Sequence, residues 1–567
     1  MSDSPRWTRR SFLEAVGRAG GAAAVYETMV AMGMVNVPAA FAGPPQLAPD
    51  RGRGQSVVIL GAGIAGLTAA YELMNAGYTV DILEAKDREG GRSYTVRRGY
   101  TIEENTGTKQ ICKFDDHPDF YLNAGPGRLP YHHTAILHYC TLFGIDLEVY
   151  TMMTRANFFQ RDGSWKGVSQ INRRIANDTR GFISELLAKS VLKGDLDAEL
   201  TLKGVDKIQF LSLLSMFGDV DSADGYDYLG SSRSGYKVQP GIEHCGKIVK
   251  PLTLADLVSS GFWNDRFYQA EEYEWQPTLF QPVGGMDKIW REGFLKHIPA
   301  ERIRRNAEVV DVENFSERGK GKVRVAYKQA GSTGDARQTI VADYCISTIP
   351  LPILSRIENN FSPRYREAIE TVNFADTCKV GWQTNSRFWE TKDEMYGGIS
   401  YTTDPITQVW YPSWAYFSKK GILTGAYNYD ANARHFGTMT PEQRLRHAMK
   451  GGRKLHPDFE KHVPLDLGLS IAWQNVPYQL GGWADDWGCD NKIPEPLLEP
   501  EGHFWVAGDQ VSYLSGWQEG AVRSAHHVIA GITGVAKAKK DTMLETMEPE
   551  ASIRKAPSVR RRTRGLP

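Results

Sequence analysis

The chain alternates short apolar runs that end in glycine with longer stretches of helical spacing. Val57, Val58, Ile59 and Leu60 form a wholly apolar run, the mark of a strand buried on both faces. Residues 67–76 carry helix formers with an apolar stripe, and Gly77 stops them. Val80, Ile82 and Leu83 predict a second strand that ends at Glu84. Together these make one parallel βαβ unit. Helical spacing returns at 134–143, 171–192 and 208–216. Strands are expected at 302–311, at 343–350 and around Lys379, with a last strand reaching Gly508 and a helix opening near Gln518. The 100–122 stretch reads as polar loop, and so does 219–235. No uninterrupted apolar run reaches membrane-spanning length.

Glycine spacing gives the first βα turn its chemistry. Gly61-Ala-Gly63-Ile-Ala65-Gly66 follows the first strand directly. Gly61 allows the tight turn, Gly63 lets backbone approach a pyrophosphate, and Gly66 lets helix and strand pack closely. The helix N-terminus offers free N–H groups to phosphate. Glu84, about 20 residues on, can bind ribose hydroxyls and should repel a 2′-phosphate. Gly90 and Gly91 permit a second close backbone approach, and Arg92 supplies a cation. These residues predict dinucleotide binding, with Ala85 on the same wall.

Composition narrows the class. The 567 residues are enough for two or three domains, and 67 basic against 67 acidic residues imply neither nucleic acid nor an anionic surface as partner. Fourteen Trp and 25 Tyr suit deep aromatic pockets, though a large core uses them too. The six cysteines make no C-x-x-C pair, so neither zinc nor a thioredoxin-type motif is indicated, and no metal is expected. The pairs His132-His133 and His526-His527 lack metal-ligand context and read as structural. At the N-terminus, Thr8-Arg9-Arg10-Ser11-Phe12-Leu13 resembles a twin-arginine export signal, with Ala40-Phe41-Ala42 as a cleavage site. That points to the periplasm or secretion. Arg18 and Glu27 interrupt the apolar stretch, so a retained helix on a cytoplasmic protein is the alternative.

Several motifs beyond the first unit resemble those of the flavin-containing amine oxidase superfamily, its bacterial L-amino-acid oxidase branch in particular. The E-A-x-x-x-x-G-G-R run from Glu84 to Arg92 is the first. Gly125-Pro-Gly127-Arg128-Leu-Pro130 resembles the G-P-x-R-L-P motif, whose arginine grips the substrate α-carboxylate. Gly127 stands where methionine is usual. Phe280 to Asp287 resembles the segment re-entering the FAD domain, and Val309 is then expected to pair its backbone with adenine. An ordinary strand fits Val309 equally. Thr377-Cys-Lys379 resembles the strand whose lysine holds a water near flavin N5, while a lysine snorkelling from an edge strand is the bland reading. Tyr427 matches the tyrosine that joins the arginine on the carboxylate, or else is a core residue. Trp483 matches an aromatic near the flavin, with core packing as the alternative, and Trp487 is the weaker candidate. Ala507-Gly508-Asp509 and Gly516-Trp517-Gln-Glu519-Gly520 resemble the second FAD signature. In it Asp509 bonds the ribityl chain, and the Gly516 and Trp517 carbonyls receive the amino group.

The resemblance implies a mixed α/β fold of amine-oxidase type. A Rossmann-like FAD-binding domain is assembled from 55–122, 280–350 and 490–540, and a substrate-binding domain with a helical insertion from 123–279 and 351–489. Residues 1–54 form a signal-like segment and linker, and 545–567 a disordered basic tail. The expected cofactor is FAD and the expected assembly a homodimer or larger homo-oligomer. The expected reaction takes an L-amino acid and O2 to a 2-oxo acid, ammonia and hydrogen peroxide. An amide-forming L-amino-acid 2-monooxygenase fits the same motifs. A monoamine or polyamine oxidase would have no use for Arg128.

Overall fold

A computed structural model describes residues 43–330, 337–484 and 491–535. The twin-arginine-like segment, Trp487 and the basic tail lie outside the described residues. Two β-systems organise the rest. The first is a five-stranded parallel sheet in the order Ile303–Arg304, Thr79–Leu83, Ser56–Leu60, Tyr344–Ser347, Phe504–Val506. Val58, Ile59 and Leu60 are fully buried, as an apolar run covered on both faces must be. One face is covered by the helices Ile64–Asn75 and Gln518–Thr533, packed together with Leu67, Leu73, Val522 and Ile529 in a shared core. The other face meets a core that includes Val312, Val325 and Tyr327 of the four-stranded sheet.

The second system is a seven-stranded sheet. Its strand Thr377–Gln383 lies between Ile422–Tyr429 and Gly468–Ala472, antiparallel to both. Every residue of Thr377–Gln383 is buried, so Lys379 belongs to a central strand and the edge-strand reading falls. The helices Asn172–Lys193 and Lys207–Gly218 lie where helical spacing is expected. Among the described residues no helix is long and apolar enough to cross a membrane.

Two expectations change. Residues 101–111 are not loop: Thr101–Glu103 and Lys109–Ile111 pair as a hairpin. Ile102, Cys112 and Phe114 of this stretch pack with Ile422 and Leu469 of the seven-stranded sheet. Glu104 anchors the hairpin by a buried ion pair, with Arg444 Nη2 2.8 Å from its Oε2. Likewise Leu351, Phe361, Tyr365 and Val372 share a core with Val58 and Leu60. Loop polarity and motif order carry no record of which core a connecting segment joins. Finally, the single strand expected over 302–311 is two, Ile303–Arg304 and Ala307–Glu317, which serve different sheets.

Candidate active site

A cavity of about 740 Å³ runs between the two β-systems. Gly61, Gly63, Ala65, Glu84, Ala85, Gly91, Arg92, Val309, Gly508, Asp509, Gly516 and Trp517 all line it, and so do Tyr427 and Trp483. The βα turn explains its shape at one end. Gly61 sits at φ +104, where a Cβ would stand 2.5 Å from Thr348 Oγ1. A Cβ on Gly63 would meet nothing within 4 Å and would project into open space. Gly63 caps the helix Ile64–Asn75 with no side-chain bond to its first turn, leaving those amides free for an anion. Gly66 does not line the cavity. Its position would put a Cβ 2.1 Å from the Gly61 carbonyl oxygen, so it serves helix–strand packing alone.

Glu84 is buried beside this turn. Its two carboxylate oxygens accept the amides of Ala62 at 2.8 Å and Lys86 at 2.9 Å. Burial pushes the carboxyl up, and those two amides pull it back. Arg92 makes an ion pair with Asp509 of the second signature and donates to the Gly482 carbonyl at 2.7 Å. Asp509 also accepts the Gly516 amide at 2.9 Å. This one carboxylate joins the two halves of the cavity wall.

The far end is aromatic. Trp473, Trp483, Tyr427 and Trp517 border it, and the helix Gln518–Thr533 opens there with Gln518 on the wall. Trp473 is fixed by a 2.9 Å bond from its indole nitrogen to the Ala124 carbonyl. A cavity with valine and carboxylate at one end, free helix amides in the middle and aromatic rings at the other fits FAD. Val309 and Glu84 would hold the adenosine, the 61–65 turn the pyrophosphate, Asp509 the ribityl chain, and the Gln518 helix N-terminus the pyrimidine edge.

Behind that aromatic end lie Arg128 and Lys379. Gly127 and Arg128 are not among the residues that line the cavity. A Cβ on Gly127 would meet the Trp410 ring at 3.0 Å, so the loop lies close against that indole. Arg128 is 7% exposed. Its guanidinium stands 4.3 Å from the Trp275 ring, 4.7 Å from Trp410 and 5.6 Å from Tyr150. Its hydrogen bond, to the Tyr150 hydroxyl, is 3.5 Å long. Among the described residues no carboxylate pairs with it. Lys379 is 2% exposed and donates to the carbonyls of Asn123 and Gly125. It faces Tyr427 across the strand pair, with its nitrogen 4.5 Å from that ring and 4.8 Å from Trp410. Burial, helped by the Arg128 charge, pulls its ammonium down to about 7. Burial and the neighbouring Tyr429 hydroxyl raise the Tyr427 phenol well above its ordinary value, so it stays a neutral donor.

Several neighbours were missed in the sequence. Trp275, Trp473 and Arg266 come from short 3-10 turns and Trp410 from a strand end, and none has a local motif. The His132-His133 pair proves to share a partner. Both Nε2 atoms stand 3.3 Å from Glu274 Oε2, and His133 packs edge-on against Trp517 at 4.8 Å. The pair therefore latches the turn that carries Trp275 over Arg128.

Comparison with known proteins agrees with this geometry. The family model described as flavin containing amine oxidoreductase matches residues 64–529. An L-amino-acid oxidase of Pseudechis australis is 23% identical, over 87% of this chain and 87% of its own. Putrescine oxidase bound to putrescine has a similar fold, with TM-score 0.53 and 18% identity over 85% of this chain and 99% of its own. Cyclohexylamine oxidase from Brevibacterium oxydans IH-35A superposes with TM-score 0.54 at 16% identity, over the same shares of each chain. The chain belongs to the flavin containing amine oxidoreductase family, with FAD as its cofactor.

Proposed function

We propose that the protein oxidises L-amino acids to 2-oxo acids, releasing ammonia and hydrogen peroxide. The observation that carries this reading is Arg128, a buried guanidinium faced by three aromatic rings and no carboxylate among the described residues. An uncompensated buried charge costs several kcal/mol. A bound α-carboxylate would remove that cost and gain charge-assisted bonds. A simple amine would leave Arg128 as it is.

Each nearby group then has a task. Arg128 and the Tyr427 hydroxyl hold the carboxylate. The Gly516 and Trp517 carbonyls accept the amino hydrogens and fix the amine. Lys379, near neutrality at pH 7, can hold or release a proton beside Tyr427. The aromatic wall of Trp410, Trp483 and Trp517 excludes water from the bound substrate. FAD, when bound, supplies the two-electron acceptor that O2 then reoxidises. In net terms the amino acid loses two electrons and two protons to become an imine, and O2 gains them as hydrogen peroxide. Water hydrolyses the imine to the 2-oxo acid and ammonia. Most of the rate enhancement comes from orientation rather than side-chain acid–base work.

A peroxide assay on the yellow holoenzyme tests this, with L-amino acids, their D-enantiomers and simple amines. Peroxide from L-amino acids alone is expected. Substrate loss without peroxide would mean the amide-forming reaction, and peroxide from amines alone would overturn the reading.

A further inference from the structure

The histidine pair that follows Arg128 in the chain is arranged as a ligand set. His132 and His133 both present Nε2 to a single atom, Glu274 Oε2, each at 3.3 Å. The two rings stand 4.8 Å apart at 84°, so both nitrogens reach that oxygen without stacking. The backbone is fixed on both sides. His133 caps the helix Thr134–Leu142, and Glu274 sits in the turn Tyr273–Trp275. The His133 side chain is 1% exposed, and those of His132 and Glu274 are 15% and 35% exposed. The Nδ1 atoms of both rings are buried and make no hydrogen bond among the described residues, so convergence on Glu274 is the polar contact that orients each ring.

Two imidazoles and one carboxylate are the protein ligands of a zinc-type site that takes water as its fourth. At metal–ligand distances of about 2.0–2.2 Å, tetrahedral geometry sets neighbouring ligand atoms about 3.3–3.5 Å apart. Both nitrogen–oxygen separations already have that length, and all three atoms lie within 4.8 Å of one another. Rotation of either ring closes the remaining edge. The partly exposed Glu274 leaves the water position open to solvent. Nitrogen donors select Zn2+ and its transition-metal neighbours over Mg2+ and Ca2+. We propose that His132, His133 and Glu274 bind one Zn2+ ion, which clamps the Tyr273–Trp275 turn to the segment that follows Arg128. Trp275 carries the ring nearest to the Arg128 guanidinium, at 4.3 Å, and His133 packs against Trp517. Bound Zn2+ therefore holds Trp275 over the guanidinium and slows turnover. This consequence rests on the L-amino-acid reading above, and the metal site itself does not.

The test uses tag-free holoenzyme, stripped with a chelator and then titrated with Zn2+ or Mg2+ by calorimetry. Wild type should take up one Zn2+ per chain through these residues and no Mg2+. Glu274→Gln and His132→Ala, both at partly exposed positions, should each weaken Zn2+ binding about tenfold or more while keeping flavin absorbance. Co2+ in place of Zn2+ should show d–d absorption that both variants lose. Peroxide release from L-amino acids should slow when Zn2+ is added to wild type, and far less in either variant. No Zn2+ uptake, uptake unchanged in both variants, or Mg2+ bound as tightly as Zn2+ would overturn the site. Zn2+ bound through these residues with turnover unaltered would overturn the clamp. If no L-amino acid is oxidised, the functional reading fails, and calorimetry still decides the metal site.

Discussion

Replacing Lys379 with methionine removes a buried amine and keeps its length. Burial, with Arg128 adding to it, lowers the Lys379 value from 10.5 to about 7. The native chain therefore binds fewer protons than the unfolded chain between these values. Below about pH 7 the cost of the buried ammonium is complete, and above about pH 10.5 it has gone, so this group makes stability rise with pH. From pH 7 to pH 9 the rise is about 2 kcal/mol. With an unfolding entropy of about 2 cal/mol/K per residue, that shifts Tm upward by about 2 °C in a chain of this size. Scanning calorimetry of wild-type and Lys379→Met holoenzyme at both pH values reads the difference directly. The wild type should gain about 2 °C more than the variant. Lys379→Arg, which cannot shed its charge, should melt lower than both. The same pH response of Tm in wild type and Lys379→Met would refute the reasoning, because other groups titrate alike in the two proteins.

Two further substitutions probe the cavity and the frame. Gly61→Val forces a branched side chain to φ +104 against Thr348, so the purified protein should lose its flavin absorbance per mole of chain; full cofactor content would contradict the turn's role. Arg444→Ala strands the buried Glu104 carboxylate and should cost about 3–5 kcal/mol in denaturant unfolding, whereas Arg444→Met with Glu104→Gln should recover much of it.

What the sequence disclosed depended on contiguity. The turn from Gly61 to Gly66, Glu84 and the Gly508–Trp517 segment each hold their chemistry within a few positions, and Gly61, Gly63, Ala65, Glu84, Gly508, Asp509, Gly516 and Trp517 all reach one cavity. Gly66 is needed for packing, which its spacing already implied. Arg128 was legible from its loop, but its lack of a counter-ion was not, because that depends on every chain segment around it. Trp275, Trp410 and Tyr150 converge there from distant positions. The His132-His133 pair meets Glu274 across about 140 residues of chain, a contact that no local pattern encodes. The hairpin at 101–111 was hidden by polarity, since its short strands alternate and leave Lys109 and Glu103 exposed.

The central claim is that Arg128 recognises a carboxylate, and it is tested by removing that group from each side in turn. Peroxide release is measured for an L-amino acid and for the amine that lacks only its carboxylate, in wild type and in Arg128→Met. The account predicts that wild type favours the amino acid by about 100-fold or more, and that the preference collapses in the variant through loss of amino-acid turnover. An equal preference in both proteins, or a wild type that oxidises the amine as readily, would contradict it.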